Sequence, residues 1–270
     1  MRVGASWHDP GMVEGRPLEV FTSDLRMSLR AMATDPRLPA ISIAIAVLGY
    51  LTSALPEAIA PIATLLVLPV SIFNVGYVGA ERIWFARLFN GESLDGRGIW
   101  KWSWHFFSRY LLLGLLVLAI LSPLMIVYLI EVFDLIGDTV RETPRGTTEI
   151  SDRDLQEALL TPTNIVLSVA LMFLIDILLT FTTAALAFTT HKPLEAMKLN
   201  LRLIRKELPT SLLYVLIPPL AIVLSWRVTT PGAFGSAVYL GGALLAVSFN
   251  LLMKGATAAF YLRKVGSLST

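Results

Sequence analysis

Residues 110–133 read YLLLGLLVLAILSPLMIVYLIEVF. No Asp, Glu, Lys, Arg or His occurs between Arg109 and Glu131. That uncharged run is about 20 residues, or ~30 Å at the helical rise, which matches the hydrocarbon core of a bilayer. A stretch so apolar on every side has no polar face to offer water. It is read as a transmembrane helix.

Working outward, five similar blocks follow the same rule, near residues 38–55, 60–80, 163–189, 210–226 and 238–261. The chain has 270 residues, 55% of them hydrophobic and 16% charged, with a mean hydropathy of +0.67. Soluble domains run to about a quarter charged. The expectation is an all-α, polytopic membrane protein of about six transmembrane helices with amphipathic interfacial helices. Residues 1–37 form a cytoplasmic N-terminal segment, 38–264 the transmembrane domain and 265–270 a tail. The first 37 residues hold no apolar region where a cleavable signal would place one, so the first membrane helix is read as an uncleaved signal.

Lys and Arg set the direction. With the N-terminus inside, seventeen of the 22 basic residues fall on cytoplasmic segments, against Arg141, Arg145, Arg153 and Arg227 outside. Lys254 lies within the last block. This asymmetry places both termini in the cytoplasm, in a bacterial inner membrane. The outside loop, about 134–162, is acidic, and Ser151 is placed to cap a short helix in it.

Three polar-facing segments flank the blocks. Residues 17–33 are read as a surface helix opened by Pro17, with Leu18, Phe21, Leu25, Leu29 and Met32 on one stripe. The connector 91–109 carries Trp100, Trp102 and Trp104 among phenylalanines, an interfacial aromatic belt with Lys101, His105 and Arg109 beside it. The connector 191–208 is amphipathic. Lys198, Arg202, Arg205 and Lys206 share one side, and Leu194, Met197, Leu201, Ile204 and Leu208 the other. Such a helix is expected to lie in the headgroup layer against anionic lipid.

Two stretches carry a family resemblance. The run LFNGESLD from Leu88, with the aromatic segment and helix after it, is one. ALAFTTHKPLEAMKLNLRLIR from Ala185 is the other. Together they resemble the bacterial six-helix membrane proteins similar to the membrane domain of glycerophosphoryl diester phosphodiesterases. In that family the esterase chemistry resides in a separate soluble barrel. The resemblance therefore implies a helical membrane module, not an esterase.

Ionisable groups at bilayer depth are costly and mark sites. Asp176 lies in the fourth block and Lys254 in the sixth, at similar depth, with Asn250 a turn from Lys254 and Asn74 level with them in the second. The expectation is one central polar cluster of Asp176, Lys254, Asn250 and Asn74. It acts either as a structural tie or as a substrate or proton path. Pro69, Pro218 and Pro219 are expected to kink their helices.

Other chemistry is excluded or unsupported. There are no cysteines, hence no disulfide, Cys-ligated zinc or thiol nucleophile. Three scattered histidines suggest no metal set, no cofactor is implied, and the basic residues are too few for nucleic acid. The functional expectation is a membrane subunit, a transport, lipid-handling or scaffold component. Its partners would be anionic inner-leaflet lipids and other membrane or ATPase subunits, or further copies of itself. A stand-alone carrier or channel using the central cluster, and a lipid-modifying enzyme, remain as alternatives.

Overall fold

The computed structural model describes residues 16–53, 60–141, 161–228 and 237–265. Among these residues all regular structure is helical. The elements are α1 (Pro17–Thr34), α2 (Arg37–Ser53), α3 (Ala60–Phe89), α4 (Gly96–Arg141), α5 (Pro162–Leu179), α6 (Thr182–Phe188), α7 (Pro193–Lys206), α8 (Leu208–Val228) and α9 (Ala237–Lys264). The expected Ser151 cap lies outside the described residues.

Three described stretches are long and apolar enough to cross a membrane: Gly96–Asp134, Pro162–Phe188 and Leu244–Lys264. Leu208–Ala221 is a shorter apolar helix. The chain is thus an all-α membrane protein. Along α4, Leu112, Leu115, Leu118, Ile126, Ile130 and Phe133 are all about half exposed or more. In water such a face would be an aggregation surface; against acyl chains it costs nothing.

The aromatic connector is not a separate interfacial helix. Residues 96–109 are the first turns of α4, whose 46 residues extend to ~70 Å at 1.5 Å per residue, more than twice the hydrocarbon thickness. Asp95 starts it by accepting from the Gly98 backbone N–H at 2.8 Å. Gly91, at φ +76°, closes α3 just before, in the left-handed conformation that a helix C-terminus favours. Helices α3, α4, α8 and α9 reach one end of the bundle, where α1 and α7 also pack. That end carries most of the Lys and Arg and is called the basic end below.

The prolines do not break their helices. α3 continues through Pro69, α8 through Pro218 and Pro219, and α4 through Pro123. Pro123 leaves the Ala119 carbonyl without its usual backbone donor, and the Ser122 hydroxyl supplies one at 2.9 Å.

α1 departs from the surface-helix expectation. Its buried face is Val20, Phe21, Asp24, Ser28 and Ala31, while Leu18 and Leu29 are exposed. Ser28 donates to the Leu252 carbonyl of α9 at 2.9 Å. The helices meet at Gly255, where a Cβ would stand 2.0 Å from Ser28 Oγ and 2.5 Å from Phe85 Cε1. Between α1 and α2, the buried Asp35 accepts from Arg37 Nε and Nη2, each at 2.8 Å, and from Trp84 Nε1 at 3.1 Å. The Arg37 hydrogen bonds, set against the opposing effect of burial, hold the Asp35 carboxyl below its ordinary value of 3.8. A lowered carboxylate stabilises the fold above that value, and its contribution is lost only as pH falls below it.

α3 and α4 make the closest pair. A Cβ on Gly76 would lie 2.0 Å from the Ser103 carbonyl oxygen, and one on Gly79 2.4 Å from Phe106 Cγ. Backbone at Ser103 cannot swing aside as a side chain would. Gly76→Ala is therefore expected to force the two helices apart at a cost of about 1–3 kcal/mol. It should lower the thermal midpoint in detergent, whereas Gly114→Ala, with open space around it, should not. Equal midpoints for the two variants would refute this account.

Candidate functional site

Two consecutive residues of α3 organise the basic end. Glu81 is fully buried and Arg82 is 4% exposed. Glu81 Oε2 accepts from Lys254 Nζ of α9 at 2.7 Å, and Oε1 accepts from Ser42 Oγ of α2 at 2.9 Å. Ser42 Oγ also lies 3.0 Å from the Tyr77 hydroxyl. Arg82 turns the other way. It donates to the Lys254 carbonyl and the Thr257 hydroxyl on α9, and to Thr183 Oγ1 of α6 at 2.9 Å. The Tyr110 hydroxyl of α4 donates to the Thr183 carbonyl at 2.6 Å. Buried charges need such partners, because leaving either alone in the interior costs several kcal/mol.

A second tie lies at the break between α5 and α6. The expected continuous span 163–189 is interrupted at residues 180–181. The fully buried Asn200 of α7 closes the break. Its Oδ1 accepts from the Phe181 N–H at 3.2 Å, and its Nδ2 donates to the Ile177 carbonyl at 2.7 Å. α7 accordingly docks on protein through Ala196, Met197, Asn200 and Leu203 rather than laying its whole apolar side on lipid. Leu194 and Leu201 remain exposed beside Lys198, Arg202, Arg205 and Lys206, which are exposed too.

A third tie joins α1, α8 and α9. The buried Asp24 pairs with Arg263 and accepts from the Tyr214 hydroxyl. Lys264 Nζ reaches Glu207 Oε1 at 2.9 Å.

The expected central cluster does not assemble as read. Lys254 gives its ammonium to Glu81, not to Asp176. Asp176 is half-buried on α5, and no side-chain partner stands beside it among the described residues. Asn74 and Asn250 are exposed, and no side-chain hydrogen bond joins either to another described residue. Arg82, one of the basic residues assigned by sequence to cytoplasmic segments, is buried. Trp100 and Trp104 are about half exposed, the first stacked on Phe73 at 5.5 Å, while Trp102 turns inward and stacks on Phe106 at 5.6 Å.

Trp102 points to a groove of which the sequence marked only one side, the aromatic connector with Lys101, His105 and Arg109. A groove of about 1060 Å³ opens at the basic end between the end of α3, the start of α4, the α6–α7 connector and the end of α9. Its apolar part is Ile83, Trp102, Phe106, Phe188 and Leu262; its charged part is Arg87, Lys101 and Arg109 against Glu92. His105 and His191, far apart in sequence, both line it. Lys101, His105 and Arg109 stand at successive turns of α4, about 6 Å apart along the axis. Arg109 Nη2 donates to His105 Nε2 at 2.9 Å, and its guanidinium lies 5.3 Å from the Phe106 ring centre. Among the described residues no carboxylate pairs with Arg87 or Lys101. The i, i+4, i+8 spacing of Lys101, His105 and Arg109 was the one available signal.

No group of described residues could hold a metal ion. No family model matches this chain, and neither a curated protein nor a solved structure is significantly similar to it.

The Glu81–Lys254 pair makes a direct test. Lys254→Met leaves a buried carboxylate alone and should destabilise the protein by roughly 3–5 kcal/mol. Glu81→Gln combined with Lys254→Met should recover most of that loss. Asp176→Ala should show no coupling to Lys254→Met in a double-mutant cycle. Coupling to Asp176 rather than to Glu81 would reverse the assignment.

Proposed function

We propose that this chain is a multi-pass inner-membrane component that handles lipid, holding an anionic amphiphile at the cytoplasmic interface and acting with other chains. The observation that carries the reading is the groove: two basic side chains without acidic partners among the described residues, a third basic side chain and two imidazoles beside an aromatic, aliphatic wall. Amphiphile sites combine these two surfaces. Hydrocarbon takes the apolar part, and the headgroup takes charge-assisted hydrogen bonds. The exposed arc of α7, with Leu194 and Leu201 among four cations, supports placing the basic end at an anionic leaflet. A helical module without esterase chemistry, as the family resemblance implies, agrees with this. The excess of Lys and Arg at the basic end supports a cytoplasmic orientation and both termini inside. The remaining apolar helices α2, α3 and α8 support about six passes.

Two measurements test the reading. The native chain has no cysteine, so Ser93→Cys introduces a single thiol beside the groove. It should react with a membrane-impermeant maleimide in inverted vesicles and not in right-side-out ones. The opposite pattern would overturn the orientation. The protein extracted with its native lipids should also carry bound anionic lipid that the double variant Lys101→Gln, Arg109→Gln has largely lost. An unchanged bound-lipid profile would count against the groove.

A further inference from the structure

We propose that the groove selects amphiphiles whose headgroup is a bare phosphate monoester over those whose phosphate is a diester. This rests on the amphiphile-binding reading above and narrows it to a substrate class.

Charge is the first argument. Arg87, Lys101 and Arg109 are three permanent cations, and among the described residues Glu92 is the one carboxylate lining the same groove. The excess is two positive charges before the histidines are counted. A phosphate monoester carries about −1.5 to −2 at neutral pH, which matches that excess. A diester carries a single charge and leaves one cation without compensation in a partly desolvated site.

Hydrogen-bond capacity is the second. A terminal phosphate presents three free oxygens, each a strong acceptor. The groove supplies two guanidinium groups, one ammonium and two imidazoles. Arg109 donates to His105 Nε2, which makes that nitrogen an acceptor and assigns the ring proton to Nδ1. His105 is then neutral and keeps a donor of its own. A diester, with one oxygen more tied up in ester linkage, leaves a donor unmatched, and sites built around polar groups discriminate against ligands that leave them unpaired.

The wall is the third. Ile83, Trp102, Phe106, Phe188 and Leu262 line the same groove as the cations. A water-soluble phosphate would leave that apolar surface wet. The site therefore fits a phosphate attached to hydrocarbon, not the free anion.

The test uses the full chain in nanodiscs of neutral phosphatidylcholine with a fluorescent phosphatidate as probe. Unlabelled phosphatidate should displace the probe at a mole fraction at least about fivefold lower than phosphatidylglycerol, since one extra unit charge meets an uncompensated cation at close range. Lys101 is exposed, and Lys101→Gln should keep its thermal midpoint while losing most of that preference. Inorganic phosphate and glycerol 3-phosphate should compete only weakly. Equal competition by phosphatidate and phosphatidylglycerol, with both weakened in Arg109→Gln, would overturn the monoester class and leave the groove reading intact. Competition by inorganic phosphate as strong as by phosphatidate would overturn the amphiphile part. Probe binding unaffected by any of Arg87→Gln, Lys101→Gln and Arg109→Gln would overturn the groove reading itself.

Discussion

Everything at the basic end depends on how α3 buries two opposite charges side by side. Adjacent residues on a helix point about 100° apart, so Glu81 and Arg82 face different neighbours. Glu81 reaches α2 and α9, and Arg82 reaches α9 and α6. Desolvating each ion is expensive, and the hydrogen bonds of Glu81 and of the Arg82 Nη atoms offset it, while Arg82 Nε has no partner among the described residues. The cost thus becomes a positional constraint, because a shift of α2, α6 or α9 leaves a buried charge without its partner. Beside this turn Ile83, and one turn further along α3 Ala86 and Arg87, line the groove. The ion-paired turn and the groove wall are therefore one rigid piece.

The amphipathic helices take part in this packing. Each could have lain on the membrane surface, and each instead turns onto protein a face that mixes polar, small and apolar residues. For α1 that face includes Asp24, Ser28 and Ala31; for α7 it includes Ala196, Asn200 and Leu203. The polar members satisfy groups that lipid could not. Asn200 caps the break after α5, and Asp24 meets Arg263 and Tyr214. Apolar residues left over, Leu18, Leu29, Leu194 and Leu201, stay outward. Driving forces in the membrane run opposite to those in water here. Leucine loses nothing by facing lipid, while a buried hydroxyl or amide gains from a partner.

This inversion explains what the sequence disclosed and what it hid. Helical class and the apolar stretches were legible, because length and hydropathy are local properties. The extent of α4 was not, since an aromatic interfacial segment and the start of a long helix read alike until the cap at Asp95 is seen. Partner choice was not legible either. Matching Lys254 with Asp176 by depth along their blocks treated both as equally buried, yet depth says nothing about azimuth. Glu81 escaped because it adjoins Arg82 at the edge of an apolar block, where charges are ordinarily solvated. The docking faces of α1 and α7 were misread for a related reason. A leucine stripe marks the protein-facing side in water, whereas beside a bilayer it marks a side that lipid covers equally well.

The same physics bears on where a site belongs. A charged cluster buried among helices needs its members paired, and once paired it has little left to offer a ligand. The Glu81–Lys254 and Arg82 networks fit that description, as their charges are met mainly by protein groups. Where water shares the cost of ionisation, cations such as Arg87 and Lys101 can stand without carboxylate partners, as they do among the described residues. Unspent charge next to aromatic surface is what binding requires. The buried network holds the helices in place, and about one turn further along α3 Arg87 lines the groove on which the proposed function rests.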